Sequence, residues 1–184
     1  MASSRPVRPV PCARAAPWAL IAVALGAGLG GAGCTASRAY FSDVDAMSAV
    51  VTTEIDAASD RVRLAIYTFT DENIQNALID ASARGVSVMV AADAGQSTTI
   101  SDQIGVLTNL REGGVEVRIG DGYGGGILHH KFLVVDGSTV LTGSFNYTRA
   151  ANETNDENLV VLSDANLAGA YEDAFADVWA RAQE

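Results

Sequence analysis

His129-His130-Lys131-Phe132-Leu133-Val134-Val135-Asp136 and, after six residues, Gly143-Ser144-Phe145-Asn146 make one unbroken pattern, H-x-K-x4-D-x6-G-S-x-N. Side chains two apart on a β-strand share a face. His129 and Lys131 therefore project together, and His130, Phe132 and Val134 project the other way. Asp136-Gly137 between apolar runs is a preferred hairpin turn. The hairpin folds Ser144 and Asn146 back beside His129 and Lys131. One imidazole, one ammonium, one hydroxyl and one carboxamide then converge, a set able to hold a phosphate and attack it.

This pattern resembles the signature of the phospholipase D superfamily. Arg61-Val-Arg-Leu-Ala-Ile-Tyr-Thr-Phe-Thr70 and Glu157-Asn-Leu-Val-Val-Leu162 resemble the family's small bacterial endonuclease branch, and the likeness runs over residues 40–182. It implies metal-independent phosphodiester hydrolysis with His129 as nucleophile and a phosphohistidine intermediate. It also implies a carboxylate at Glu157 holding the second imidazole nitrogen. Lys131, Ser144 and Asn146 are the expected phosphate-oxygen donors. Asp136 belongs to the signature but has the opposite parity from Lys131, so its expected role is structural, through hydrogen bonds to turn amides. Tyr67, Thr68 and Thr70 end a strand, where open α/β sheets place ligands, and are expected to wall the pocket. Arg149 is a candidate for a flanking phosphate. Larger family members carry the signature twice and this chain carries it once, which implies a homodimer with a shared active site.

The chain begins differently. Arg5, Arg8 and Arg14 precede the apolar run 15–29, and Gly31-Ala-Gly-Cys34 follows. A basic start, an apolar middle and small residues make residues 1–33 an export signal. The ending resembles a bacterial lipobox, with Cys34 as the lipidated residue, although Gly31 stands where that pattern prefers Leu. Residues 34–41 then read as a tether and 42–184 as the single domain, exported to the cell envelope and facing the periplasm or exterior. Cys12 lies in the removed segment, so Cys34 has no intramolecular disulfide partner.

Periodicity predicts helices at 43–58, 71–83 and 101–112, and one after Asp164 with a Leu167/Tyr171/Phe175/Val178/Trp179 stripe. Strands are expected at 61–68, 86–92, 115–119 and 158–162, besides the hairpin. Strands alternating with helices imply an α/β/α sandwich on a mostly parallel mixed sheet.

Two adjacent histidines and no cysteine pair argue against a metal centre, and no cofactor is called for. A carboxylate-only Mg²⁺ site at Asp93, which ends a strand, is the one alternative left open. Losing the three leader arginines leaves nine basic residues against twenty-two acidic ones, a net charge of −13 with neutral histidines. That acidity opposes polyanions. The resemblance favours a non-specific endonuclease, whereas acidity and a membrane anchor favour phospholipid hydrolysis. A non-catalytic phosphate-binding envelope lipoprotein is the third reading. For the anchor, an alkyne-palmitate label is expected on the wild-type protein and not on Cys34→Ser; unlabelled wild type recovered in the medium would remove it.

Overall fold

The Asp136-Gly137 turn forms as expected, with positive φ at both residues (49° and 60°) and the Ser138 amide donating to the Val135 carbonyl at 3.1 Å. The Asp136 carboxylate accepts the amides of Ser59, Asp60 and Arg61, each at 2.9 Å, and the Ser59 hydroxyl at 2.8 Å. The turn is thereby fastened to the chain entering the next strand. Partial burial pushes the carboxyl pKa up, but these donors together outweigh it and hold it at about 2, below the usual 3.8.

The computed structural model describes residues 37–183. The export segment and Cys34 lie outside them. In chain order the elements are β1 (Arg38–Phe41), α1 (Met47–Asp56), β2 (Arg61–Ile66), α2 (Glu72–Ala83), β3 (Ser87–Asp93), α3 (Ala94–Thr99), α4 (Ser101–Glu112) and β4 (Glu116–Gly120). After them come β5 (Lys131–Val135), β6 (Thr139–Gly143), α5 (Arg149–Glu153), β7 (Asn158–Ser163) and α6 (Ala165–Arg181). The seven strands form one sheet in the order β1-β7-β6-β5-β2-β3-β4. Met47, Val51 and Ile55 of α1, Ile74 and Leu78 of α2, and Val106, Leu107 and Leu110 of α4 pack on one face against Leu64, Ile66, Val90 and Leu133. On the other face, Ala168, Phe175 and Val178 of α6 cover Ala65, Phe132, Val134 and Val140. The three layers are those expected. Among the described residues, both cores and every strand lie within residues 38–182, so a chain starting at residue 37 keeps all of these contacts.

The expected mostly parallel sheet needs correction. Only β2–β3 and β3–β4 are parallel; β1–β7, β7–β6, β6–β5 and β5–β2 are antiparallel. A parallel neighbour needs a crossover, and only α2 and the α3–α4 pair supply one between adjacent strands. The expected tether is also shorter. Residues 38–41 form β1, paired with β7 from Arg38↔Val161 to Phe41↔Asn158, which covers an edge that would otherwise show open backbone groups. Asp45 accepts the Phe41 amide at 2.9 Å, so residues 42–45 form a turn and α1 starts later than the periodicity suggested. On α6, Leu167 is exposed and Ala168 faces the core in its place.

Stability should follow the Asp136 contacts. A depressed carboxyl pKa contributes stability above the unfolded value, near pH 4, that is lost as pH falls through about 2. Asp136→Asn, which tolerates positive φ, is expected to lower the unfolding free energy at pH 7 by roughly 1–2 kcal/mol. The gap to wild type should close between pH 4 and pH 2 in urea titrations; a constant gap would contradict the ionic account.

Candidate active site

Strands β1, β2, β3, β4 and β6 run one way and β5 and β7 the other, as their pairings require. The carboxyl ends of the first five and the amino ends of the last two therefore share one end of the sheet. Tyr67, Asp93, His129, Lys131, Ser144, Asn146 and Glu157 all lie there.

Regular pairing of β5 starts at Lys131, but the extended backbone reaches further, because the Tyr67 amide donates to the His130 carbonyl at 2.9 Å. The expected parity follows. The His129 ring lies against Tyr67 with centroids 4.6 Å apart, and Lys131 Nζ stands 5.1 Å from the centre of the same ring. Lys131 Nζ also donates to the His129 carbonyl at 3.0 Å. His130 turns to the other face, its ring 5.2 Å from Phe132, which meets Tyr171 at 5.0 Å. Partial desolvation lowers the His130 pKa, and the charges of Arg181, Lys131 and His129 lower it further, which favours the neutral imidazole. Burial likewise lowers the Lys131 pKa, with Glu157 opposing. Lys131 is the only lysine in the 184 residues.

Across the hairpin, a Cβ on Gly143 would sit 2.2 Å from the Asn158 carbonyl oxygen, so only glycine lets β6 approach β7 this closely. Phe145 and Tyr147 point into the core beside Phe69, which leaves Ser144 and Asn146 on the alternate positions. Ser144 donates to the Glu157 carboxylate and accepts the Asn158 amide at 3.1 Å. The Asn146 Oδ1 is buried with no hydrogen-bond partner. Among the described residues it is the one buried polar atom of the signature left without a partner.

Glu157 departs from its expected place. Its carboxylate takes the Ser144 hydroxyl and Asn155 Nδ2 (3.2 Å), and no hydrogen bond joins it to His129 among the described residues. β6 lies between β5 and β7, and Ser144 just past the end of β6 takes the carboxylate in place of His129. Asp136 lies at the far end of the hairpin and acts on the backbone, binding the amides that lead into β2 rather than those of its own turn. Tyr67 forms the wall expected of it. The Thr70 amide donates to the Tyr147 carbonyl at 2.7 Å, which ties the β2 exit to the segment carrying Asn146. Arg149 is exposed and held by Glu153 at 2.8 Å within α5.

Three residues matter more than the sequence indicated. Asp93 is buried; its Oδ1 accepts the Gln96 amide (2.9 Å) and its Oδ2 the Leu128 amide (2.8 Å), so it pins the chain next to His129. Both oxygens of the candidate Mg²⁺ ligand are thus engaged, and among the described residues no three His, Cys, Asp or Glu side chains converge as a metal site. Gln96 donates to the Tyr67 hydroxyl and accepts from Thr68, both at 3.1 Å. Fully buried Gln103 accepts the Phe69 amide at 2.8 Å. A glutamine in register with Val106, Leu107 and Leu110 was the available signal.

Residues 51–179 match the family described as cardiolipin synthase, PLD-like domain. A phospholipase D of Rickettsia bellii is 38% identical over 118 residues, 64% of this chain and 56% of that protein. A mitochondrial cardiolipin hydrolase of Xenopus tropicalis is 38% identical over 118 residues, 64% of this chain and 54% of the relative. The matched stretch spans little more than half the length of these relatives. Among solved structures, Nuc from Salmonella typhimurium, a phospholipase D family member, superposes with a TM-score of 0.76 at 31% identity, covering 81% of this chain and 97% of Nuc. NucT from Helicobacter pylori has the same fold, with a TM-score of 0.70 at 22% identity, covering 80% of this chain and 98% of NucT.

The two histidines should separate sharply. His129→Ala is expected to remove phosphodiester turnover by at least ~10³-fold, and His130→Ala to keep most of it. Equal losses on bis(p-nitrophenyl) phosphate, in variants folded by circular dichroism, would refute the assignment.

Proposed function

This chain belongs to the phospholipase D superfamily, and from that premise we propose that it is a phosphodiesterase working by double displacement on His129. The observation that carries the reading is that His129 and Lys131 share the Tyr67 ring while His130 faces away. An imidazole nitrogen of His129 forms a bond to phosphorus as the ester oxygen leaves with a proton from an acid. Water then attacks the phosphohistidine, the N–P bond breaks, and the proton returns. Lys131, Ser144 and Asn146 hold the non-bridging oxygens; the partial desolvation that lowers the Lys131 pKa also leaves its ammonium less screened from the negative charge that develops beside it. Glu157 holds Ser144 in place and its field reaches Lys131.

The departing oxygen needs a second acid opposite the nucleophile. The chain has two histidines, and His130 faces away from Lys131 toward Phe132, so we assign the acid to His129 of a second copy across a two-fold axis. One imidazole acts neutral and the other protonated, which gives a bell-shaped pH–rate profile.

For substrate we favour a phospholipid headgroup ester over nucleic acid, against the weight the motif alone carries. Binding a nucleic-acid backbone draws on several phosphate contacts from Lys and Arg. Here Arg61 is committed to Glu172 and Asp60, Arg84 to the Ile55 and Asp56 carbonyls, and Arg149 to Glu153. A cleft of about 360 Å³ beside His129 and Lys131 is lined by His130, Phe132, Thr142, Ala170, Tyr171 and Ala174, polar and apolar groups in near-equal measure, which suits a headgroup together with the carbon next to it. The export segment and Cys34 support a place for the enzyme at an envelope membrane.

The test gives the purified protein phosphatidylcholine, DNA and RNA in excess EDTA, with sedimentation across a dilution series. Choline release that survives EDTA and weakens as dimers dissociate is expected. Nucleolytic turnover without choline release would reverse the substrate choice. Constant specific activity from a sedimenting monomer would remove the shared site.

A further inference from the structure

Among the described residues, the exposed large apolar side chains other than Leu167 are Phe41, Val44, Ile100, Ile104, Tyr123 and Ile127. They are far apart in sequence, yet topology gathers them. Phe41 ends β1, and the Ser42 hydroxyl after it accepts the Glu157 amide at 2.8 Å, so Phe41 and Val44 (each 51% exposed) flank the Glu157 side of the site. Tyr123 (93% exposed) and Ile127 (60%) lie on the loop from β4 to His129. Ile100 and Ile104 flank the start of α4, whose Gln103 binds the Phe69 amide beside Tyr67. All six therefore sit at the active-site end of the sheet, at both of its margins. Leu167, on the first turn of α6, lies at the other end.

The loop that carries Tyr123 is built to hold it out. The Gly122 amide donates to the Gly126 carbonyl at 2.5 Å, and a Cβ on Gly122 would come within 2.2 Å of the Ile127 carbonyl oxygen. Gly124 and Gly125 take positive φ (68° and 80°), and the Leu128 amide is pinned to Asp93. A closed turn with a nearly bare tyrosine at its tip gains nothing for the core from that ring. An aromatic ring with a polar tip suits a boundary between water and carbon.

We propose that this rim is a seat for a zwitterionic phospholipid bilayer, with Tyr123 and Ile127 at one margin and Phe41 and Val44 at the other as its anchors. Charge selects the occupant. Asp43, Asp45, Asp102 and Asp121 are interspersed among the apolar residues, Arg181 beside Asp121 is, among the described residues, a lone cation against them, and the chain's one lysine is in the active site. Such a face accepts carbon and repels anionic lipid and nucleic-acid backbone alike. Chain length agrees. β1 is four residues long, so Arg38 starts about 10 Å from the rim, and a link from an acylated Cys34 reaches about 14 Å when extended, enough for rim and anchor to meet one membrane. A two-fold axis along the strands would set the rims of two copies in one plane. The seat takes its purpose from the phospholipid reading of the site, but binding tests it apart from turnover.

The experiment is co-sedimentation of the chain from residue 37 onward with phosphatidylcholine vesicles. Wild type is expected to partition onto them, and Tyr123→Ser/Ile127→Ser and Phe41→Ser/Val44→Ser each to partition at least ~10-fold less, by the apolar area withdrawn from lipid. Tyr123→Ser/Ile127→Ser should hydrolyse soluble bis(p-nitrophenyl) phosphate as wild type does and keep its sedimentation coefficient. Phosphatidylglycerol in the vesicles should weaken binding. Wild type that stays in solution, variants that still bind, or tighter binding to anionic vesicles would overturn the seat. So would a shift to monomer in the Tyr123/Ile127 variant, which would assign the rim to a second copy, or loss of oligonucleotide binding alone. Vesicle binding without headgroup release would keep the seat and remove the phospholipid substrate; headgroup release without vesicle binding would do the reverse.

Discussion

The carboxylate of Asp136 sets the register from which the site follows. By taking three successive amides at the entrance of β2, it locks the hairpin turn to that strand and opposes Val62 to Val135. A slip of one residue would exchange the faces of every side chain on β5. His130 would then meet Tyr67, and His129 would face the α6 side. The residue of the signature farthest from the site thus decides which imidazole stands beside Lys131 on the Tyr67 ring. A charged acceptor suits this work because each of its bonds is charge-assisted and several point at one group.

A second carboxylate, this one buried, works at the other end of the sheet. Asp93 caps α3 through Gln96 and holds the Leu128 amide. Gln96 in turn holds the Tyr67 hydroxyl, and Tyr67 is the surface on which His129 and Lys131 rest. His129, the proposed nucleophile, is exposed to solvent, but the backbone on its amino side and the ring beneath it are both fixed from the same acid. An exposed catalytic imidazole can be oriented in this way without being buried.

Charge and apolar surface are divided along the strands. Most arginines serve the fold, binding carboxylates or backbone carbonyls away from the site, as Arg61, Arg63 and Arg84 do. The site end carries the one lysine and a margin of exposed carbon. A site so arranged has strong local attraction for one phosphate and little long-range pull on a polyanion. That combination is what separates the phospholipid reading from the nucleic-acid reading of the same motif.

Much of this was legible in the chain. Alternation across His129–Val135, Asp-Gly between apolar runs and helix periodicity after Asp71, Ser101 and Asp164 are local signals, and they determined the hairpin, the helices and the pairing of His129 with Lys131, because backbone geometry alone imposes those periods. Single-turn features had no such signal: α3, α5 and β1 are too short to show a period. Gln96 and Gln103 read as ordinary polar residues, and Asp93 as a candidate Mg²⁺ ligand, until the fold brought 28 to 35 positions of separation into hydrogen-bond distance. Glu157 shows the same limit, since the strand between it and His129 is known only from the sheet order. The sequence by itself determined which groups can do the chemistry and which face of their strand they share. Only the tertiary structure decided strand order and which strand ends meet, because those depend on burying two cores at once, a condition on the whole chain rather than on any stretch of it.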